Sequence, residues 1–485
     1  MDTDEDRHLF AAIEECGRGG RSDMSVSADH NRHQAPRSSS ESSLQTTPSP
    51  AIRHRAGSRI PADSDLRGAP AAVLTSVVRG TLAVASRGAC WDTGRMDVGA
   101  LRRQTPGCAN RTHLNNAGAA LLSETTLEAM QGMLRLESEL GGYEAEDAAR
   151  EAIAGTYDSL AQLVGGTAEE IALFDNSTHA WNAAFYSVPL GPGDRILTAA
   201  DEYGSAVLAY WQVAQRTGAE LVVVPNDENG QIDLEALADL IDERTKLIGV
   251  TWIPTSGGLV NPAAAVGAIA RAHDVLFLLD ATQAVGQLPI DVEALGCDLL
   301  TGTGRKFLRG PRGTGFLWAG PRAVERLDPN VVEIGSAAWD GGTDFRWRPG
   351  AGRFETWEKS YVNVVGLGSA VDQALELGLD AIAERATGLG ALLRDGLDAL
   401  PGVTTHDLGA QRCAIVTASI AGVSAQEAKD RLAEERIAVS TTVPEHNQFD
   451  TVLRGIHPLL RFSPHYFTTE DEIDRTLNHV RRIAA

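Results

Sequence analysis

Asp274-Val-Leu-Phe-Leu-Leu-Asp-Ala-Thr-Gln283 contains five consecutive apolar residues that end in a carboxylate. A short apolar run of this kind predicts a strand that is buried on both faces of a parallel sheet. Open α/β sheets bind their ligands at the carboxyl ends of such strands, which is where Asp280 lies. The stretch therefore predicts a fold class and the position of a site.

The sequence on both sides of this strand alternates between short β-branched runs and segments with helical spacing. Seven strands are predicted, at Glu170–Phe174, Arg195–Thr198, Glu220–Val224, Lys246–Trp252, Val275–Asp280, Leu299–Gly302 and Gly315–Trp318. Helices are predicted at Leu127–Leu140, Glu146–Val164, Tyr203–Thr217, Leu234–Ile241 and Ala263–His273. This alternation predicts an α/β fold with a mainly parallel, seven-stranded sheet flanked by helices.

The C-terminal part of the chain predicts a second, smaller α+β domain. A long helical pattern runs from Val362 to about Leu400, and it is followed by alternating short elements. These are strands at Ala414–Ser419 and Ala438–Thr442 and helices at Ser424–Glu434 and from Thr469. We therefore divide the chain into an N-terminal segment, 96–125, a large domain, 126–360, and a small domain, 361–485.

Residues 1–95 differ from the rest of the chain in composition. They are rich in Ser, Arg, His and Pro and show no sustained periodicity. A segment of this kind buries too little apolar surface to offset the entropy of ordering it, so we expect it to be disordered. Two interpretations stay open: a native tail, or an overextended reading of the start.

Composition narrows the classes of function. The chain has 43 basic and 65 acidic residues and a net charge of −22, which argues against a nucleic-acid partner. No run of about 18 apolar residues predicts a membrane span. The N-terminus has no basic and apolar signal regions, so we expect a cytoplasmic protein. The five cysteines are scattered, which supports neither a disulfide framework nor a metal site.

Lys306 is one of four lysines in the chain, and it lies in the glycine-rich run Thr301–Gly315. A lysine amine can lose its proton and attack a carbonyl, whereas a guanidinium stays charged. Asp280 comes earlier in the sequence, and one further predicted strand lies between it and Lys306. A carboxylate can keep the pyridine nitrogen of pyridoxal phosphate (PLP) protonated while a lysine holds the aldehyde of this cofactor. The competing interpretations are a solvated loop lysine and a nucleotide-binding loop, and the glycine spacing fits no nucleotide fingerprint.

A series of motifs then resembles the class V, cysteine-desulfurase-like branch of the fold-type I PLP enzymes, over residues 113 to about 480. In chain order these motifs are His113-Leu-Asn-Asn-Ala-Gly118, Asp175-Asn-Ser-Thr-His179, Asp201-Glu-Tyr-Gly204, Pro254-Thr-Ser-Gly-Gly258, Asp280-Ala-Thr-Gln283, Thr303-Gly-Arg-Lys306 and Leu460-Arg-Phe-Ser463. The resemblance implies a PLP-dependent enzyme that acts on an amino acid and forms a homodimer.

The resemblance also implies roles for single residues. Lys306 is the catalytic residue, which holds the cofactor and takes the substrate α-proton. Arg461 clamps the substrate carboxylate, and Asn116 lies near the substrate. The cofactor set is Asn176, Ser177, Thr178 and Thr303 around the phosphate, Tyr203 over the ring, Asp280 at the pyridine nitrogen, Gln283 and Thr255 near the phenolic oxygen, and Arg305 beside Lys306.

The chain departs from the desulfurase pattern at Val443–Asp450, where persulfide-forming relatives carry a loop cysteine and this sequence has none. Persulfide chemistry is therefore disfavoured. His446 in this loop is either a polar substrate contact or a solvated histidine. The sequence looks like the C–S lyases of ergothioneine and lincosamide pathways, which predicts a β-lyase for S-substituted cysteines in secondary metabolism such as antibiotic biosynthesis. Decarboxylation-coupled oxidative deamination, transamination and epimerisation on the same scaffold stay open.

Overall fold

The computed structural model describes residues Met96–Ala485. The expectations for residues 1–95 lie outside the described residues. Within Met96–Ala485, no helix is long and apolar enough to cross a membrane.

A seven-stranded sheet forms the centre of the fold, as the sequence predicts. Its strands are β2 (Ile171–Phe174), β3 (Arg195–Ala199), β4 (Glu220–Val224), β5 (Thr245–Thr251), β6 (Leu276–Asp280), β7 (Leu299–Thr303) and β8 (Gly315–Ala319), and β1 (Thr112–His113) lies outside this sheet. The spatial order is β2-β8-β7-β6-β5-β3-β4. All residues of β6, β7 and β8 are buried, in agreement with their uninterrupted apolar or small-residue sequences.

Six of the seven strands run in the same direction. The pairs among β3 to β7 are parallel, whereas β8 is antiparallel to both β7 and β2. Because β2 and β7 are both antiparallel to β8, β2 runs parallel to β7. The carboxyl ends of β2, β3, β5, β6 and β7 therefore meet at one edge, the edge at which α/β sheets bind ligands.

The helices mostly follow the predicted positions. They are α1 (Val98–Arg103), α2 (Glu124–Leu140), α3 (Gly142–Ala148), α4 (Arg150–Val164), α5 (Ser177–Phe185), α6 (Gly204–Thr217), α7 (Leu234–Leu240), α8 (Ala263–Ala272), α9 (Val292–Leu295), α10 (Pro321–Arg326), α11 (Tyr361–Leu377), α12 (Leu379–Asp398), α13 (Ala425–Glu434), α14 (Gln448–Arg454) and α15 (Glu470–Ala484).

Two helices that the sequence predicts as continuous are each broken into two. The prediction Glu146–Val164 is interrupted at Ala149, between α3 and α4. The helical pattern from Val362 to Leu400 is interrupted at Gly378, whose φ of 82° is left-handed and cannot continue a right-handed helix. Tyr203, predicted inside a helix, is instead the N-cap of α6.

The C-terminal part of the chain contains a four-stranded sheet with its own apolar core. This sheet has the order β11-β12-β15-β14, with β11 (Val403–Thr405), β12 (Val416–Ile420), β14 (Ser440–Thr441) and β15 (Leu460–Phe462). The predicted strand Ala438–Thr442 is divided between β13 (Ile437–Ala438), which pairs with β1, and β14. Arg461 lies on β15, which is a central strand of this sheet because it pairs with both β12 and β14.

The packing crosses the predicted domain divisions. Residues of α11 and the first part of α12, including Val364, Leu367 and Ile382, belong to the core beneath the large sheet. The core of the small sheet takes residues from Leu389 onward and also Leu114 from the N-terminal segment. The division at residue 360 stays a prediction. A hairpin of β9 (Ala337–Gly341) and β10 (Asp344–Trp347), which the sequence analysis does not predict, projects from the residues before α11.

Candidate active site

A cleft opens at the edge where the parallel strands end. Eight of the predicted site residues line it: Ser177, Thr178, Tyr203, Thr255, Asp280, Gln283, Arg305 and Lys306. Each follows or ends one of the strands β2, β3, β5, β6 and β7. Sequence reasoning missed the other residues that line the cleft, which are Trp181, Ser205, Ala206, Thr251, Ile253 and Thr282. Thr251 was detectable in principle, since it is the second-last residue of the predicted strand Lys246–Trp252, whose carboxyl end lies at the same edge.

Lys306 is buried in this cleft, with 8 % of its surface exposed. Burial disfavours the charged ammonium and lowers its pKa from 10.5 to about 7. The positive charges of Arg305 and Arg461 act in the same direction, whereas Asp280 opposes them. Near neutral pH, a substantial fraction of the amine is therefore unprotonated and nucleophilic.

Asp280 ends β6 with its carboxylate directed into the cleft. Its Oδ1 accepts a hydrogen bond of 2.9 Å from the Thr282 amide. Thr251 lies beside it in register on β5. Such a strand-end carboxylate is suited to pairing with a protonated ring nitrogen.

Glu202 is a buried carboxyl group that the sequence analysis did not single out. Its Oε1 accepts a hydrogen bond of 2.8 Å from the Tyr203 amide and contacts the Thr251 hydroxyl, and its Oε2 accepts one of 3.0 Å from Thr198. Burial raises its pKa to about 8, so it is mostly protonated at neutral pH. Glu202 therefore positions Tyr203 and Thr251 while leaving Asp280 as the negative charge of the cleft.

The N-terminus of α5 forms one end of the cleft. Asn176 caps this helix and accepts a hydrogen bond of 2.9 Å from the His179 amide. Ser177 and Thr178, which carry hydroxyl groups, lie in the first turn of this helix and line the cleft. Gly315 on β8 permits this arrangement, because a Cβ there would lie 2.3 Å from the carbonyl carbon of Asn176. A helix N-terminus with flanking hydroxyls is a binding site for a phosphate group.

Thr303 does not belong to this end of the cleft. Its hydroxyl is buried and donates a hydrogen bond of 2.9 Å to the Thr314 carbonyl on the neighbouring strand segment. Because the single hydroxyl proton is used there, it cannot also be donated to a phosphate oxygen. The role of Thr303 at the phosphate stays a prediction, and in this structure its hydroxyl is directed elsewhere.

Arg461 lies on the small sheet, and its side chain contacts Thr255, one of the residues that line the cleft. Its Nη1 donates hydrogen bonds of 2.8 Å to both the carbonyl and the hydroxyl of Thr255. Gln283 donates to the same hydroxyl at 3.2 Å. The Nε of Arg461 is buried and makes no hydrogen bond within the described part of the chain. A buried guanidinium with an unused donor is suited to a carboxylate ligand.

Asn116 lies outside the residues that line the cleft. Its side chain is buried and donates a hydrogen bond of 2.7 Å to the Ser463 carbonyl. Ser463 follows Arg461 by two residues, so Asn116 joins the N-terminal segment to the strand that carries the arginine. Its predicted contact with the substrate stays a prediction.

The segment Val443–Arg454 is folded against the loop that carries Tyr203. It forms a short 3₁₀ turn, Pro444–Asn447, followed by α14. With its amide nitrogen facing inward, Asn447 donates to the carbonyls of Asp201 and Glu202 at 3.3 Å each. The His446 ring lies 6.0 Å from the Tyr203 ring, centroid to centroid. The segment thus packs beside Tyr203.

This fold and the arrangement of Lys306, Asp280 and the helix N-terminus define an enzyme site of the PLP-dependent α/β class. The aminotransferase class V family model matches residues 112–476. The chain belongs to this family, and it is a PLP-dependent enzyme.

Several curated relatives are similar over most of their length. A probable cysteine desulfurase of Halobacterium salinarum is 28 % identical over 78 % of this chain and 93 % of its own length. A cysteine desulfurase of Klebsiella pneumoniae is 30 % identical over 66 % of this chain and 79 % of its own. A probable cysteine desulfurase of Xylella fastidiosa is 31 % identical over 67 % of this chain and 79 % of its own.

Solved structures with the same fold include the apo cysteine desulfurase of Thermococcus onnurineus, with a TM-score of 0.74 and 21 % identity over 80 % of this chain and 98 % of that one. The cystine C–S lyase C-DES, in complex with its reaction product cysteine persulfide, has a TM-score of 0.70 and 25 % identity over 78 % of this chain and 99 % of that one. The narrower resemblance to ergothioneine- and lincosamide-pathway lyases stays a prediction.

The residues of the cleft fit PLP. A buried amine of lowered pKa, a strand-end carboxylate and a helix N-terminus match its aldehyde, pyridine nitrogen and phosphate. The unused Nε of Arg461 is in addition a donor for an anionic group. The side chains present therefore account for each reactive part of the cofactor.

Proposed function

We propose that this enzyme is a carbon–sulfur β-lyase, which cleaves an S-substituted cysteine to a thiol, pyruvate and ammonia. The proposal is carried by three observations taken together. Lys306 and Asp280 lie in the cleft, the buried Nε of Arg461, which contacts Thr255 of the cleft, makes no hydrogen bond in the described chain, and the segment Val443–Arg454 beside Tyr203 contains no cysteine. The relatives named above as cysteine desulfurases and a cystine C–S lyase support a carbon–sulfur bond as the point of attack.

Each protein group has a distinct task in this proposal. Arg461 binds the substrate α-carboxylate through its unused Nε–H group. This contact orients the α-carbon toward Lys306. Bound PLP supplies an electron sink for the charge left on the α-carbon, and Asp280 keeps its pyridine nitrogen protonated. The Lys306 amine takes the α-proton, because its lowered pKa leaves it unprotonated near neutral pH.

The α-carbon then forms a double bond to the β-carbon, and the bond between the β-carbon and sulfur breaks. The electron pair of this bond leaves with the sulfur, which departs as a thiolate. The released aminoacrylate hydrolyses to pyruvate and ammonia.

The cysteines of the described chain support release of a free thiol rather than storage of sulfur as a persulfide. Cys297 and Cys413 are buried in the apolar core, and burial raises the pKa of Cys413 to about 12. Cys108 is half-buried in the turn Pro106–Ala109 of the N-terminal segment. None of the three lines the cleft. A thiol of raised pKa is a poor nucleophile toward sulfur.

The experiment is a product assay on the holoenzyme with S-methyl-L-cysteine and with L-cysteine. We expect pyruvate, ammonia and methanethiol in equal amounts from S-methyl-L-cysteine, because a lyase without a persulfide cysteine needs no sulfur acceptor. Alanine formed from L-cysteine would indicate a desulfurase. Carbon dioxide with hydrogen peroxide and no pyruvate would indicate decarboxylation-coupled oxidative deamination, and would contradict the proposal.

We also infer a homodimer. Six large apolar side chains between residues 331 and 357 are exposed: Val331, Val332, Ile334, Trp339, Phe345 and Trp357. A second cavity lies next to this stretch and is lined by Val331 and Thr356 together with Asp175 and His179. Residues 175 to 179 separate this cavity from the cofactor cleft. An exposed apolar surface of this extent beside a site supports a second copy of the chain as its cover.

A further inference from the structure

One arginine of the cleft, Arg305, has no assigned contact with the cofactor or with the α-carboxylate in the proposed function. Lys306, Arg305 and Arg461 lie close enough for the charge of Arg305 to lower the pKa of the other two. Asp280 is the carboxylate that opposes this effect at Lys306. Neither Arg305 nor Arg461 forms an ion pair within Met96–Ala485. A cluster of unpaired cations in a partly buried cleft favours anionic ligands.

Two of these three groups already have tasks. Lys306 reacts as a neutral amine. Arg461 is held by Thr255 at 2.8 Å and keeps its buried Nε for the α-carboxylate. Its exposed fraction of 8 % leaves it little access to solvent. The third cation, Arg305, is not required for either task.

Arg305 lines the same cleft but is directed toward the N-terminal segment. One N–H of its guanidinium donates to the Gly118 carbonyl, and the Ala120 amide donates to its own carbonyl at 2.9 Å. No hydrogen bond joins its guanidinium to the α5 turn, where Ser177 and Thr178 provide the phosphate site. A guanidinium has five donors in a planar fork, so most of those of Arg305 stay available.

We propose that Arg305 binds a second acid group, on the side chain of the substrate. This inference rests on the proposed amino-acid substrate, and it adds the chemical class: a cysteine conjugate whose S-substituent carries a carboxylate or a comparable anion. With the α-carboxylate on Arg461, Arg305 is the remaining arginine among the residues that line the cleft. A bidentate guanidinium–carboxylate pair recognises such a group in a fixed orientation.

The test uses two conjugates that differ in charge and have nearly the same shape, S-carboxymethyl-L-cysteine and S-carbamoylmethyl-L-cysteine. Each is titrated into the holoenzyme, and binding is followed by the change in cofactor absorption. We expect the carboxymethyl compound to bind at least about tenfold more tightly, the contribution of a charge-assisted hydrogen bond. Equal affinities would overturn the inference. Because binding is measured, the result does not depend on whether a thiol is released.

Arg305→Gln and Arg305→Lys test whether this residue is the cause. We expect the Gln variant to reduce the preference for the acid to about twofold or less and the Lys variant to retain part of it. The family resemblance places Arg305 in the cofactor set, and the present inference assigns it to the substrate instead, so the PLP affinity of the Gln variant, from fluorescence titration of apoprotein, should stay within about twofold of wild type. If PLP binding is lost and the acid preference is kept, Arg305 binds the cofactor phosphate instead, and the inference is overturned.

Discussion

At the scale of the residue, burial makes the Lys306 amine reactive and also lowers the free energy of unfolding of the apoprotein. Its pKa falls from 10.5 to about 7 on folding, so between these pH values the unfolded chain binds one proton more than the folded chain. The free energy of unfolding of the apoprotein therefore decreases as the pH falls through this window, and below about 7 the full penalty is present. Lys306→Met removes it. We expect the variant apoprotein to gain roughly 2 kcal/mol more at pH 7 than at pH 9, measured by urea unfolding.

Lys246 provides the matched control for this experiment. Its side chain is 42 % exposed and lies 3.8 Å from Asp194 on the surface. Lys246→Met should therefore change the free energy of unfolding by a similar, small amount at both pH values. If Lys306→Met has the same effect at pH 7 and pH 9, its amine is not held in the neutral form by burial.

At the scale of the element, the contact between α6 and the segment Val443–Arg454 depends on a glycine. A Cβ at Gly204 would lie 2.4 Å from the Glu445 carbonyl oxygen, so Gly204→Ala must move the segment away from Tyr203. We expect the KM for the amino acid to rise roughly tenfold and tryptic cleavage at Arg454 to become faster. Gly155→Ala in α4 is the control, because no atom lies within 4 Å of its Cβ. An unchanged KM and cleavage rate would show that the segment is not part of the substrate wall.

The elements also show how far the sequence can be read. The predicted strand at Glu220–Val224 has the observed bounds, five other strands of the large sheet differ by one residue at one end, and Lys246–Trp252 is shifted by one residue at both ends. Their apolar runs are local signals. The direction of Thr303, the close contact at Gly204 and the burial of Glu202 were not predictable, because each depends on neighbours that are distant in sequence. Local patterns indicate which strand end carries a residue, whereas tertiary packing decides where its side chain points.

At the scale of the whole molecule, the exposed apolar stretch predicts a homodimer. Ile334, which is 68 % exposed, lies in this stretch, and a charge there would be buried without a partner when two copies associate. We expect wild-type protein to sediment as a dimer at micromolar concentration and Ile334→Asp to shift it toward monomer, with a loss of activity if the partner completes the site. Leu392→Asp, on an exposed position of α12, is the control and should leave the dimer intact. A monomeric wild type, or equal dissociation of both variants, would show that the apolar stretch has another role.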